Sequence, residues 1–227
     1  MKIGQIAIAA LLSATAIATP AVAENPAHLQ QLLDTNECQK CDLSGVNLAG
    51  RDLSGANLKE ANLSGSNLEG ANLNEASLIN ANLENATVRH TSFIAARLHG
   101  ANLENADLTR SNLTLAGLVI ANLNGANLSG VNLVGANLES ASLVGANLNN
   151  ALQSVANLHR VTLSEGNFHA TGIAGVNLRD ADLTHANPTD ANLNWSDLSG
   201  AKLDRADTRQ VQLQGANLPT GYTISSF

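Results

Sequence analysis

Aromatic side chains are nearly absent, for the 227 residues hold one Trp, one Tyr and three Phe. A chain without stacking platforms is poorly equipped to hold nucleic acid, and bases are scarce too, with 12 Lys and Arg against 19 Asp and Glu. Cysteine stops at two, Cys38 and Cys41, so no second pair exists to complete a four-cysteine metal site. After the first seventeen residues no stretch is apolar enough to span a bilayer.

What the chain has instead is a five-residue beat. It is clearest in Ala121-Asn122-Leu123-Asn124-Gly125 and the two units after it, and it runs in one frame from Cys41 to Thr220 as 36 consecutive pentapeptides. The third position is apolar except at Gln153, Pro188 and Thr208; the first is mostly Ala, the second mostly Asn, Asp or Ser, and the fifth often Gly. A period of five matches neither an α-helix nor a plain strand. It is the mark of a repeat protein.

A fitting geometry points positions one and three inward and positions two, four and five outward, with one corner per unit. Four corners close a square of twenty residues, so the repeat region predicts nine coils stacked at about 4.8 Å each, an all-β solenoid about 43 Å long. Ala suits the crowded corner and Leu fills the axis, each buried Leu stabilising by about 1.5 to 3 kcal/mol. Gly at the fifth position tolerates the angles of the turn, and Asn at the second can hydrogen-bond its backbone. The third-position columns starting at Leu43, Leu48, Leu53 and Leu58 name faces one to four, and residues twenty apart share a face.

These A-[N/D]-L-x-x units resemble the pentapeptide-repeat family over about four-fifths of the chain. The resemblance implies a right-handed quadrilateral parallel β-helix. It implies little about activity, because one fold hosts many roles.

Before the repeats, Lys2, the apolar run from Ile3 to about Ile17 and Thr19-Pro20-Ala21-Val22-Ala23 read as a secretory signal peptide, residues 1–23, cleaved after Ala23. Its removal leaves eleven bases against nineteen acids, and no membrane insertion is expected of the rest. Asn25-Pro26 then reads as an N-cap and first helical residue, with Leu29, Leu32 and Leu33 at helical spacing, so residues 24–40 predict a capping helix over the open first coil and the start of the Cys pair.

Cys38 and Cys41 admit three readings: a redox-active dithiol, half of a metal site, or a structural disulfide, which an exported chain favours. Secreted cyanobacterial members of the family are similar here, with a Leu-rich helix and a Cys pair before Asp42-Leu43-Ser44-Gly45. That similarity implies a periplasmic or thylakoid-lumen home.

The six His fall too far apart to pair as ligands, and no nucleophile has a base beside it, so neither metal, cofactor nor catalytic residue is expected. Glu84 and Glu104 stack on face one for two rungs, too short for the extended acidic surface of the DNA-mimicking, topoisomerase-binding family members. Asn recurs on face two from Asn47 to Asn187, as the turns themselves require.

Face three differs, carrying Ile94, Leu115, Val134, Val155 and Trp195 at outward positions, and face four adds Ile79, Val119 and Ile120. A climbing apolar row predicts a surface for a protein partner or for self-association, with Trp195 as its anchor. On the same face Leu152 and Gln153 break the beat, which predicts a bulge turning Leu152 inward. Pro188 and Thr208 interrupt face two, and residues 221–227 can fold over the last coil or leave it to a second subunit. The chain reads as an exported, non-catalytic scaffold or protein-binding module.

Overall fold

The computed structural model of the protein describes residues 25–151 and 156–222. The expected signal peptide, the bulge at Leu152 and Gln153, Val155 and the end of the tail lie outside the described residues.

Second-position residues pair in parallel with the residue twenty further on, as in Asn62↔Asn82, Asn82↔Asn102 and Asn102↔Asn122 on face one. One unit shows how the coils are held. The Asn122 N–H donates down to the Ala101 carbonyl at 2.9 Å, while the Leu123 and Gly125 N–H groups donate up to Ser142 and Val144 at 2.7 and 2.9 Å. The corner closes when the Ala126 N–H donates to the Leu123 carbonyl at 3.1 Å. Most backbone groups inside the stack are thereby satisfied without any long strand, as burial requires.

Asn at the second position does two jobs. The Asn122 Oδ1 accepts the Asn124 N–H at 3.1 Å within its own turn, and the Asn122 Nδ2 donates to the Asn102 Oδ1 of the coil below at 3.0 Å. The same amide ladder joins Asn62, Asn82 and Asn102. Its polar atoms are used internally, so the regular Asn columns need no ligand to explain them.

Every described fifth position from Lys40 to Gly215 lies in the left-handed region, with Gly125 at φ 66°. A turn with a left-handed third residue prefers Gly or Asn there. Inside, the third-position leucines and the first-position Ala of the first eight coils are buried, and Thr91, Ser111 and Ser196 replace Ala by donating their hydroxyls to Leu68, Val88 and Ile173 carbonyls.

Regular pairing starts one unit earlier than the Leu frame suggests. Glu37 bridges Asn57, and buried Cys38 holds the core position of the unit 36–40. Helix α1, Pro26–Thr35, covers this end, with the Asn25 side chain accepting the His28 N–H and left-handed Asn36 closing it. Its side chains replace a missing coil: His28 Nδ1 accepts the Asp42 N–H at 3.0 Å, Gln31 donates to the Glu37 carbonyl and Asn36 to the Ser54 carbonyl, both at 2.8 Å. Only Leu32 is fully buried; Leu33, one helical step or about 100° away, is 42% exposed.

Two departures from the inward rule sit at the ends. Arg51, a first-position residue on the rim of the first coil, is exposed because a side chain there can leave the axis for water. In the last coil Leu203, Val211, Leu213 and Leu218 are half-buried, and Tyr222 crosses to the Thr208 hydroxyl at 3.0 Å. Pro188 has no N–H, and no bridge joins Asn187 to Asp207. An apolar cavity of about 20 Å³ lies among Phe168, Ile173, Pro188, Thr208 and Tyr222.

Candidate functional site

The apolar row of face three is unevenly exposed among the described residues. Leu115 and Trp195, at fifth positions, are 62% and 69% exposed, whereas Ile94 and Val134, at fourth positions, are half-buried, and Val155 is not among the described residues. Leu115 and Trp195 share a column but stand four coils apart, about 19 Å. Each leans on a glycine of the coil above: a Cβ at Gly135 would lie 2.8 Å from Leu115 Cδ2, and one at Gly215 would lie 2.3 Å from the Trp195 ring. Trp195 is therefore a cover for the last coil's corner as much as an anchor.

The continuous apolar surface runs across face four of coil four, from the corner at Leu115 to the next at Ile120, rather than up a face. In coil four the chain reads Leu115-Ala116-Gly117-Leu118-Val119-Ile120, with Ala116 and Leu118 buried and the others outward. Ile120 is 55% exposed, and Val119 is half-buried beside it. Gly117 occupies a second position that is Asn at 57, 137, 157, 177 and 217 of the same face. A Cβ there would touch nothing. Leu115 and Ile120 also hold φ of 59° and 54°, a region unfavourable for a residue bearing a Cβ by about 1 to 2 kcal/mol. Neither burial nor backbone geometry accounts for them.

The His residues are dispersed, but one makes contacts that twenty-residue spacing alone did not single out. His159 stands on face four between Glu139 and Asp180, its two ring nitrogens 3.6 Å from a carboxylate oxygen of each. The stack crosses from a fourth to a fifth position, which is why same-column reasoning missed it. His169 Nδ1 lies 2.9 Å from the Thr189 carbonyl oxygen. Glu104 accepts from Asn122 at 3.1 Å and Glu84 from Asn85 at 3.3 Å, so the two acids are engaged locally. Among the described residues no group of three His, Cys, Asp or Glu side chains could hold a metal ion, and no helix is long and apolar enough to cross a membrane.

The Cys38 and Cys41 sulfurs lie 2.04 Å apart with both residues buried beneath α1. Several Asp carboxyls at second positions of the repeat sit below their ordinary pKa. Ser44, Ser54, Thr184 and Ser199 hydroxyls, each two residues on, hold down Asp42, Asp52, Asp182 and Asp197, and the Arg209 guanidinium holds Asp207 at about 2. These are turn-stabilising pairs.

The sequence matches the family described as Pentapeptide repeats in eight copies, over residues 41–78, 76–114, 121–152, 173–207 and 191–219. The chain belongs to the pentapeptide-repeat family. Members of this family fold as right-handed quadrilateral β-helices. Among solved structures the chain is similar to HetL, a pentapeptide repeat protein involved in heterocyst differentiation regulation in the cyanobacterium Nostoc sp. strain PCC 7120. The identity is 26%, covering 88% of this chain and 99% of HetL at a TM-score of 0.52. It is also similar to QnrB1, a plasmid-mediated fluoroquinolone resistance protein, at 19% identity, covering 79% and 94% of the two chains with a TM-score of 0.61, a likeness of fold alone. No curated protein matches the chain.

Proposed function

We propose that this pentapeptide-repeat protein is an exported, non-catalytic scaffold that binds protein through face four of coil four and the two corners that flank it. The carrying observation is Leu115 and Ile120, which are 62% and 55% exposed at left-handed positions where Gly or Asn would be cheaper. An outward residue that neither packs in the core nor relaxes its own backbone is explained by a surface that covers it. A partner gains about 25 cal/mol for each Å² of apolar area removed from water.

Export is supported by the signal-like first 23 residues and by the buried Cys38–Cys41 pair, since such a bond persists in an oxidising compartment. The periplasm and the thylakoid lumen both satisfy that condition. Burial of both sulfurs under α1 supports a structural crosslink over a redox-active dithiol, which needs access. The two-rung Glu84 and Glu104 stack offers no extended acidic surface for DNA mimicry.

The test is capture from the exported compartment with wild type and with Leu115→Asn plus Ile120→Asn, Asn being tolerated at left-handed positions. A partner held by wild type and lost by the variant, at unchanged melting temperature, is expected. Equal capture by both would place the binding surface elsewhere.

A further inference from the structure

Resting on the reading of face four of coil four as a binding surface, we propose that the Gly117 recess at its centre is a carboxylate site, and that the partner protein presents an Asp or Glu side chain there with an apolar residue two places to either side.

The repeat itself shows what belongs in such a recess. On the same face the Asn157 Oδ1 accepts two hydrogen bonds at once, from the His159 N–H two residues on at 3.2 Å and from Asn177 Nδ2 in the coil above at 3.1 Å. Asp197, four coils above Gly117 in the same column, does this with a carboxylate. Its Oδ1 accepts the Ser199 N–H at 3.0 Å and Asn217 Nδ2 at 3.1 Å, while its Oδ2 lies 3.9 Å from the Arg179 guanidinium of the coil below.

Gly117 keeps the donors of that arrangement and lacks the acceptor. The Val119 N–H, two residues on, has no acceptor among the described residues. Asn137, directly above, engages its Oδ1 with the Glu139 N–H at 3.1 Å and Asn157 Nδ2 at 3.0 Å. The same engagement of the Asn157 Oδ1 turns the Asn157 Nδ2 down the column, so the Asn137 Nδ2 is turned toward Gly117. Arg97 pairs with Gly117 from directly below and is exposed, and it makes no ion pair among the described residues. One coil step, about 4.8 Å, separates it from the recess, within reach of its side chain. A Cβ at residue 117 would touch nothing, so the recess has room. An amide oxygen placed there would serve the two neutral donors and leave Arg97 without a counter-charge. A carboxylate serves all three, and its bonds are the stronger for carrying charge. Glu139, the acid one coil up, has its own carboxylate 3.6 Å from His159 in the coil above that.

The walls set the rest of the partner's chemistry. Leu115 and Val119 stand two residues to either side of Gly117, with Ile120 next to Val119. Two residues is also the spacing of side chains along one side of an extended chain. A segment reading apolar-x-acid-x-apolar therefore sets its acid over Gly117 and its apolar side chains against Leu115 and against Val119 with Ile120. Covering the recess in this way excludes water and strengthens the charged hydrogen bonds beneath.

The test uses the chain as its cell processes it, isotope-labelled for amide NMR near neutral pH, with two probe peptides: acetyl-Leu-Ser-Glu-Ser-Leu-amide and the same sequence with Gln in place of Glu. The Glu peptide should bind with a Kd of roughly 1 mM and shift the Val119 N–H and the Asn137 side-chain amide, and the Gln peptide should bind at least about fivefold more weakly. Arg97→Gln should lower the Glu peptide to the level of the Gln peptide. Gly117→Asp, which fills the recess as Asp197 fills its own turn, should abolish the preference while keeping or raising the melting temperature. Equal affinity for the two peptides, no binding of either, a preference that survives Arg97→Gln or Gly117→Asp, or binding that leaves the Val119 N–H unmoved overturns the proposal. If it is overturned while wild type still captures a protein that Leu115→Asn plus Ile120→Asn loses, the carboxylate site fails alone and the binding-scaffold reading stands. If nothing is captured either, both fall.

Discussion

Replacing Leu128 by Ala probes the axis where it is most enclosed. Leu128 is fully buried in the face-two column between Leu108 and Leu148, themselves 0% and 1% exposed. The Leu128 N–H donates to Asn147 at 2.7 Å, the Asn127 N–H to Ala106 at 2.9 Å and the Leu108 N–H to Asn127 at 2.8 Å. These ladders hold coils four, five and six in fixed register, so the walls cannot collapse into the space left behind. Leu→Ala costs 2 to 5 kcal/mol in cores, and the rigid walls put this site near the upper end, about 4 kcal/mol. The matched control is Leu213→Ala in the half-buried last coil, where solvent can enter, expected at about 1 to 2 kcal/mol. Equilibrium unfolding in urea reads both. If Leu128→Ala costs no more than Leu213→Ala, the inward column is not a closed core and the assignment of faces fails.

Asn122→Ala removes a turn acceptor and an inter-coil donor, so a loss of about 1 to 2 kcal/mol is expected in the same titration. Ile120→Gly relieves the left-handed φ of 54° and should raise the stability of the single chain by about 1 kcal/mol. Asp42, Asp52, Asp182, Asp197 and Asp207 have folded pKa values below the ordinary 3.8, Asp207 at about 2. The folded state thus favours their charged forms: their contribution is present above pH 4 or so and is lost as pH falls through the folded values, so melting temperature should hold from neutral pH to about 5 and drop below about 4, which melts across that range check. Deleting residues 25–35 should strip the partners from the Asp42 N–H and the Glu37 carbonyl and cause aggregation in ultracentrifugation, whereas Cys38→Ser should cost at most about 2 kcal/mol because the loop it closes is so short.

Most of the fold was legible because the beat is geometric: each Leu, Ala and Asn repeats the same environment, so one unit describes its neighbours. The exceptions lie where an environment differs. The unit at 36–40 escapes notice because Cys38 takes the place of Leu. Arg51 violates the pattern where the first coil ends. Leu33 looks like its neighbour Leu32 in a helical count, yet only packing against the coil decides which of the two is covered. For the site, sequence could place Leu115 and Ile120 outward but could not tell a fourth position from a fifth by exposure. It therefore joined Trp195 to Leu115, from which it stands four coils away. Gly117 was hardest to see, since its meaning lies in a side chain that its own turn would have welcomed.

Hydroxyl-radical footprinting tests most directly whether face four of coil four, with its flanking corners, is a binding surface. Leu115 and Ile120 should label readily in dilute purified protein and be protected when the chain is labelled inside its own compartment, with Trp195 labelling alike in both. Equal labelling of Leu115 and Ile120 in the two states would contradict the account.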